Sequence, residues 1–109
     1  MIEKKKAALF ERQAEIAKAV AHPLRMAVLD LLRDGERCVC EIAERVGSER
    51  SNVSRHLAVM VRAGVLDCRK DGLKVYYRLK TPCVAEFLCC VTRVLKHRAR
   101  ENEKLLACL

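Results

Sequence analysis

The sequence has no run of about 20 apolar residues, which excludes a membrane-spanning helix. It has no internal repeat, low-complexity segment or linker, so a single domain over residues 1–109 is expected. It has no Cys-x-x-Cys in a βαβ setting and no nucleophile–base pair placed by spacing. That argues against a small thiol oxidoreductase, and no enzyme is expected. Acidic residues are in deficit, 14 against 22 Lys and Arg, which leaves a net charge of +8. So much positive charge on a small domain favours an anionic partner such as nucleic acid or an anionic membrane. The start, Met1-Ile2-Glu3-Lys4-Lys5-Lys6, leads into a charged helical pattern and not into an apolar signal core, so a cytoplasmic location is expected. In that compartment the seven cysteines are thiols and not a disulfide framework, with which the odd count agrees.

The chain is organised around residues 38–79. Val39, Ile42, Ala43 and Val46 give one face of a short helix that Gly47 closes. Ser48 or Glu49 then caps a second helix with Val53, Leu57, Met60 and Val61 facing inward. Its outward N-terminal residues are Arg50, Ser51, Asn52, Ser54 and Arg55. Arg and Asn at the start of a helix suit bidentate reading of guanine and adenine in the major groove. Ala63-Gly64 stops this helix. Leu66, Cys68, Leu73, Val75, Tyr77 and Leu79 then alternate as a hairpin's apolar face, on which Cys68 is read as core. Asp71-Gly72 favours a two-residue type I′ turn. Lys70, Lys74 and Arg78, with Tyr76, fall on or near the other face, placed for phosphate contact.

The flanks read as helices that hold this unit. Residues 4–20 carry a thin apolar stripe of Ala8, Leu9, Ile16, Ala17 and Val20, too weak for a core helix and suited to packing on a second chain. His22-Pro23 starts the next helix, with Leu24, Ala27, Val28, Leu31 and Leu32 inward and Asp34-Gly35 at its end. Thr81-Pro82 opens a last helix over about 82–108, with Thr81 as cap. Its apolar residues Val84, Phe87, Leu88, Val91, Val94, Leu95, Leu105 and Leu106 are more than so small a domain buries alone. The fold expected is mainly α with a β-hairpin wing. It is a winged helix-turn-helix of about five helices, with the helix-turn-helix at about 38–64 and the wing at about 66–79. A homodimer forms through the helices at about 4–20 and 82–108, matching a palindromic double-stranded operator.

Taken together, His22-Pro23-Leu24-Arg25 to Leu32, Cys38-Val39-Cys40-Glu41-Ile42, Val53-Ser54-Arg55-His56-Leu57 with Ala63-Gly64-Val65-Leu66, and Arg69-Lys70-Asp71-Gly72 to Tyr76-Tyr77-Arg78-Leu79 carry a resemblance over about residues 10–109. The chain resembles the ArsR/SmtB family of winged helix-turn-helix metalloregulators. The resemblance implies a homodimeric repressor that leaves DNA when an inducer binds. DNA-contacting residues are then expected at Arg50, Ser51, Asn52, Ser54, Arg55, His56, Lys70, Lys74 and Tyr76.

Cys38 and Cys40 stand at the start of a helix, where thiol pKa values fall and the metal-binding thiolate is favoured. Cys-Val-Cys followed by an acidic residue resembles the As(III)/Sb(III) site of the family's arsenic-sensing branch, and soft thiolates suit soft ions. The inducer implied is As(III) or Sb(III), with no permanently bound cofactor. The sequence departs from that site at Ala43, where the family often has a third cysteine. No cysteine precedes Cys38, as it does in the cadmium and lead sensors, and His97, Glu101 and Glu103 fit the zinc sensors' last-helix pattern poorly. Cys89 and Cys90 are possible further ligands, with Cys83 a helical face-mate of Cys90 and Cys108 near the end. A thiol-redox or persulfide sensor on the same frame is the alternative, as is a Cd- or Zn-responsive repressor. A non-specific architectural DNA binder would show little sequence preference.

Overall fold

The structure, a computed structural model, describes residues 3–109; Met1 and Ile2, which begin the charged N-terminal segment, lie outside the described residues. In chain order the elements are α1 (Lys4–Val20), α2 (Pro23–Leu31) with a 3-10 turn (Leu32–Asp34), β1 (Arg37–Cys38), α3 (Val39–Val46) and α4 (Arg50–Arg62). There follow β2 (Leu66–Asp71), β3 (Lys74–Leu79), a 3-10 turn (Pro82–Ala85) and α5 (Glu86–Ala107).

The core lies where α2, α3 and α4 meet the base of the sheet. Val28 and Leu29 of α2, Ile42 of α3, Val53, Leu57 and Met60 of α4 and Leu66 of β2 are buried together. The i, i+3, i+4 spacing of these apolar residues points one stripe of each helix inward, and burying such stripes drives the packing. In α2 the stripe differs from the expected one: Leu29 is buried and Ala27 is exposed. Leu24, Leu31 and Leu32 pack against the core as expected.

The hairpin forms with its turn one residue later than expected. Asp71 pairs with Lys74, so the loop is Gly72-Leu73. Gly72 holds φ +63° and no non-glycine residue described has positive φ. That is the type II′ requirement of glycine at the first central position, whereas type I′ needs both residues there. The shift puts Leu73 fully exposed at the tip. It also sets Lys70 opposite Val75, on the face of Tyr77, while Lys74, Tyr76 and Arg78 share the other face. Cys68 is exposed, contrary to the core reading, because burial along β2 ends after its first two residues.

β1 adds an unexpected third strand, giving the order β1-β3-β2, with Arg37 opposite Tyr77 and Cys38 opposite Tyr76. The last helix also starts later than read. Pro82–Ala85 is a 3-10 turn, Thr81 makes no side-chain cap, and the α-helix begins at Glu86. Three steps of about 120° through the 3-10 turn and four of about 100° in α5 leave Cys83 and Cys90 about 40° apart around the axis, so the two keep nearly one face. α5 runs 22 residues with none buried, and α1 buries only Ala19 and Val20. Among the described residues no helix is long and apolar enough to cross a membrane.

Candidate nucleic-acid interface and thiol site

α4 presents the expected polar row. Arg50, Ser51, Ser54 and Arg55 are exposed, and Asn52 is half-buried at the turn from α3. Gly47 makes that turn in the left-handed region, φ 68° and ψ 38°, which ends α3 and lets α4 begin three residues on, at Arg50. Glu49 occupies the cap position without a side-chain cap bond. Ser48 instead accepts from Asn52 Nδ2 at 2.9 Å, and Asn52 Oδ1 accepts from Arg55 Nη2 at 3.2 Å. This chain of bonds runs from the turn onto α4 and limits the rotamers of Asn52 and Arg55.

His56 does not join that row. It is half-buried against α2, where its Nδ1 accepts from Arg25 Nε at 3.0 Å and its ring lies 4.4 Å from that of His22. His22 Nδ1 in turn accepts from the Leu24 amide at 3.0 Å and caps α2, and Arg25 Nη1 donates to the Ala19 carbonyl. His56 thus ties α4 to the α1–α2 corner. Burial holds its pKa below 6.5, helped by the charges of His22, Arg25 and Arg55. A histidine with a lowered folded pKa is neutral in the fold, so its contribution is present above the unfolded pKa and lost as pH falls. Unfolding free energy is therefore expected to decline as pH drops below about 6.5. Denaturant titrations at pH values either side of it check this. His56→Gln should flatten the decline, and an equal slope in both proteins would rule out His56 as its source.

The wing is less cationic in effect than in sequence. Arg78 pairs with Asp67 at 3.1 Å, and Arg69 pairs with Glu36 and with Asp71. Arg69 also stacks over Tyr76, 4.7 Å from the ring centre, which leaves Tyr76 half-buried. Lys70 and Lys74 are exposed and, among the described residues, make no ion pair. Burial, with a smaller part from Cys68, holds the Tyr77 hydroxyl above its usual pKa.

Cys38 and Cys40 bracket the first turn of α3, where the Cys38 position ends β1. Cys38 is buried, and its Sγ donates to Glu41 Oε1 at 3.7 Å. Cys40 is half-buried, and its Sγ accepts from Arg50 Nη2 at 2.8 Å. Glu41 also receives Arg37 Nη1 at 3.2 Å, while the buried Arg37 Nε has no hydrogen-bond partner. The second thiol group is not gathered. Cys83, Cys89, Cys90 and Cys108 are all exposed, with Cys89 beside Arg93 and Lys96 in a shallow hollow between α2 and α5. Among the described residues no three Cys, His, Asp or Glu side chains of one chain converge as a metal site. The link from Arg50 to Cys40 escaped the sequence reading, since ten residues and a turn separate the two.

The sequence pattern of the arsR family of bacterial regulatory proteins matches residues 22–67, from the start of α2 into β2. An uncharacterized HTH-type transcriptional regulator of Mycobacterium tuberculosis is 41% identical over 88 residues, covering 80% of this chain and 77% of that protein. A probable mercury resistance operon repressor of Streptomyces lividans is 35% identical over 95 residues, 87% of this chain and 73% of its own length. The homodimeric winged helix-turn-helix DNA-binding domain of a possible ArsR-family regulator from Mycobacterium bovis superimposes with a TM-score of 0.77 at 32% identity. That match covers 92% of this chain and 93% of the other. Relatives of this kind are DNA-binding regulators and not enzymes, and with a winged helix-turn-helix fold and a polar α4 of its own, this chain belongs to the arsR family of bacterial regulatory proteins.

Proposed function

We propose that the chain is a homodimeric repressor that leaves a palindromic operator when Cys38 and Cys40 take up As(III) or Sb(III). The observation that carries this reading is the bond from Arg50, first residue of α4, to the Cys40 sulfur. One ion bridging both thiols takes the proton that Cys38 donates to Glu41, and moving the Cys40 sulfur onto the ion beside Cys38 draws it away from Arg50. The residue that opens the DNA-reading helix is thereby released from α3. The chemistry balances without redox change. As(OH)3 loses two hydroxides, which leave as water with the two thiol protons, two As–S bonds form, and the third hydroxide stays on arsenic. Two protein thiols are thus sufficient for a bound product, in keeping with the absence of a cysteine at Ala43; Cys89 or Cys90 of a second chain would replace the remaining hydroxide. The mercury-resistance role in the name of the Streptomyces relative also supports a soft, thiophilic inducer. A cytoplasmic protein, where operator DNA and reduced thiols are both found, follows from the same reading.

Release of fluorescent operator DNA, titrated anaerobically with As(III), Sb(III), Cd(II), Zn(II) and polysulfide in turn, tests it. Release by As(III) and Sb(III) at the lowest concentrations is expected. Release by polysulfide alone would make the protein a sulfur sensor instead, and release by Zn(II) or Cd(II) alone would move it to the divalent-metal branch.

Arg55 is the base-reading residue this reading singles out, exposed and oriented by Asn52. Arg55→Ala should weaken operator binding by about 1–3 kcal/mol while leaving binding to unrelated DNA nearly unchanged. Equal losses on both DNAs would make it a phosphate contact.

A further inference from the structure

The thiol site is built into the wing as well as into the helix-turn-helix. Cys38 is a strand residue, opposite Tyr76 of β3. Two residues before it, Glu36 grips Arg69 of β2. Arg69 Nε lies 3.1 and 3.2 Å from its two carboxylate oxygens, and Arg69 Nη2 donates to Oε1 as well. Arg69 in turn covers the ring of Tyr76, its cross-strand neighbour. The segment from Glu36 to Cys38 therefore holds both strands of the wing, one by backbone pairing and the other by a forked ion pair.

This support matters because a two-stranded hairpin alone is marginal in water. β1 and the Glu36 fork turn the wing into a three-stranded sheet anchored to α3. We propose that the wing is a second output of the thiol site: closing Cys38 and Cys40 on one ion draws β1 from β3, opens the Glu36–Arg69 fork, and loosens the wing together with α4. Glu36 is then a positioning residue, acting on DNA only through Arg69 and Tyr76. A loosened wing must be re-ordered before Lys74 and Tyr76 meet phosphate, and that ordering cost lowers operator affinity in the ion-bound state.

The inference rests on the reading of Cys38 and Cys40 as the inducer site, and the experiment separates the two. Amide hydrogen exchange is followed in the full chain without DNA, with and without saturating As(III), beside the operator-release titration. Exchange at Tyr76 and Tyr77 is expected to quicken several-fold with As(III), and not to change in the Cys38→Ser/Cys40→Ser chain. Glu36→Gln, an exposed change that keeps the side chain's size, should quicken wing exchange without As(III) and leave α2 unchanged. Faster exchange confined to α3 and α4, with the wing unaltered, would overturn the proposal and leave the inducer site standing. Faster wing exchange without operator release would uphold the coupling and overturn the repressor switch. No As(III)-dependent change anywhere would overturn both.

Discussion

A chain carrying Cys38→Ser and Cys40→Ser is expected to bind its operator as the wild type does and to stay bound at As(III) concentrations that release the wild type. The first half follows from the geometry, and the second from reading Cys38 and Cys40 as the inducer site. Serine is slightly smaller than cysteine and its hydroxyl both donates and accepts. At position 38 it can still donate to Glu41, and at position 40 it can still accept from Arg50, so α3 keeps its contact with α4. Cys38 is 4% exposed, and burying a hydroxyl there without its bond would cost about 1–3 kcal/mol, which the Glu41 carboxylate offsets. Oxygen in place of sulfur removes the soft donors that a thiophilic ion requires. Anisotropy titrations give both quantities, operator Kd and the ion concentration for half-release. Normal release from the doubly substituted chain would move the site elsewhere. Cys89→Ser/Cys90→Ser then decides whether α5 holds it, and because both thiols are exposed that variant is expected to fold normally.

The sequence discloses this site unevenly, and the reasons are physical. Periodic apolar residues mark α2, α3 and α4 because each helix buries one stripe, and the polar N-terminal residues of α4 stand outward as the spacing requires. Cys38 and Cys40 come together for a local reason, as neighbours in one turn. What the sequence does not disclose is carried by contacts distant along the chain. β1 is two residues long and exists only by pairing with β3, nearly forty residues later. Arg50 reads as a base contact from its place on α4, and only the packing of α3 on α4 shows it held by a thiol. His56 sits next to Arg55 in sequence, yet one step along a helix is about 100°, enough to turn it from the exposed row of α4 toward Arg25 and His22. Cys68 follows strand alternation, but alternation predicts burial only where a partner surface covers the strand, and past Asp67 the wing leaves the body.

Charging the apolar stripe of α5 should have the other large effect. Leu95→Glu with Leu105→Glu is expected to yield a folded monomer whose operator affinity is lower by about 10²–10⁴-fold, the effective-concentration advantage of linking two half-site binders. One chain leaves this stripe uncovered: Leu95, Leu105 and Leu106 are 56%, 67% and 62% exposed, and on α1 Leu9 and Phe10 are about half exposed. The radius of gyration, 17.4 Å, exceeds the about 13 Å of a compact domain of 100 residues, because α5 extends past the body that α2, α3 and α4 form. Apolar helices that project in this way bury their stripes against a partner, and the Mycobacterium bovis neighbour of the same fold is homodimeric. Since neither leucine belongs to the core, the substitutions should leave the helical circular dichroism and the denaturation midpoint of the monomer fold intact. Sedimentation gives the state of association. A palindromic operator and a single half-site, titrated side by side, give the affinity. The substituted chain should bind both alike, with about half the wild type's salt dependence on the palindrome, because one subunit neutralises half the phosphates. A substituted chain that remains dimeric and keeps its palindrome preference would place the subunit interface away from α5.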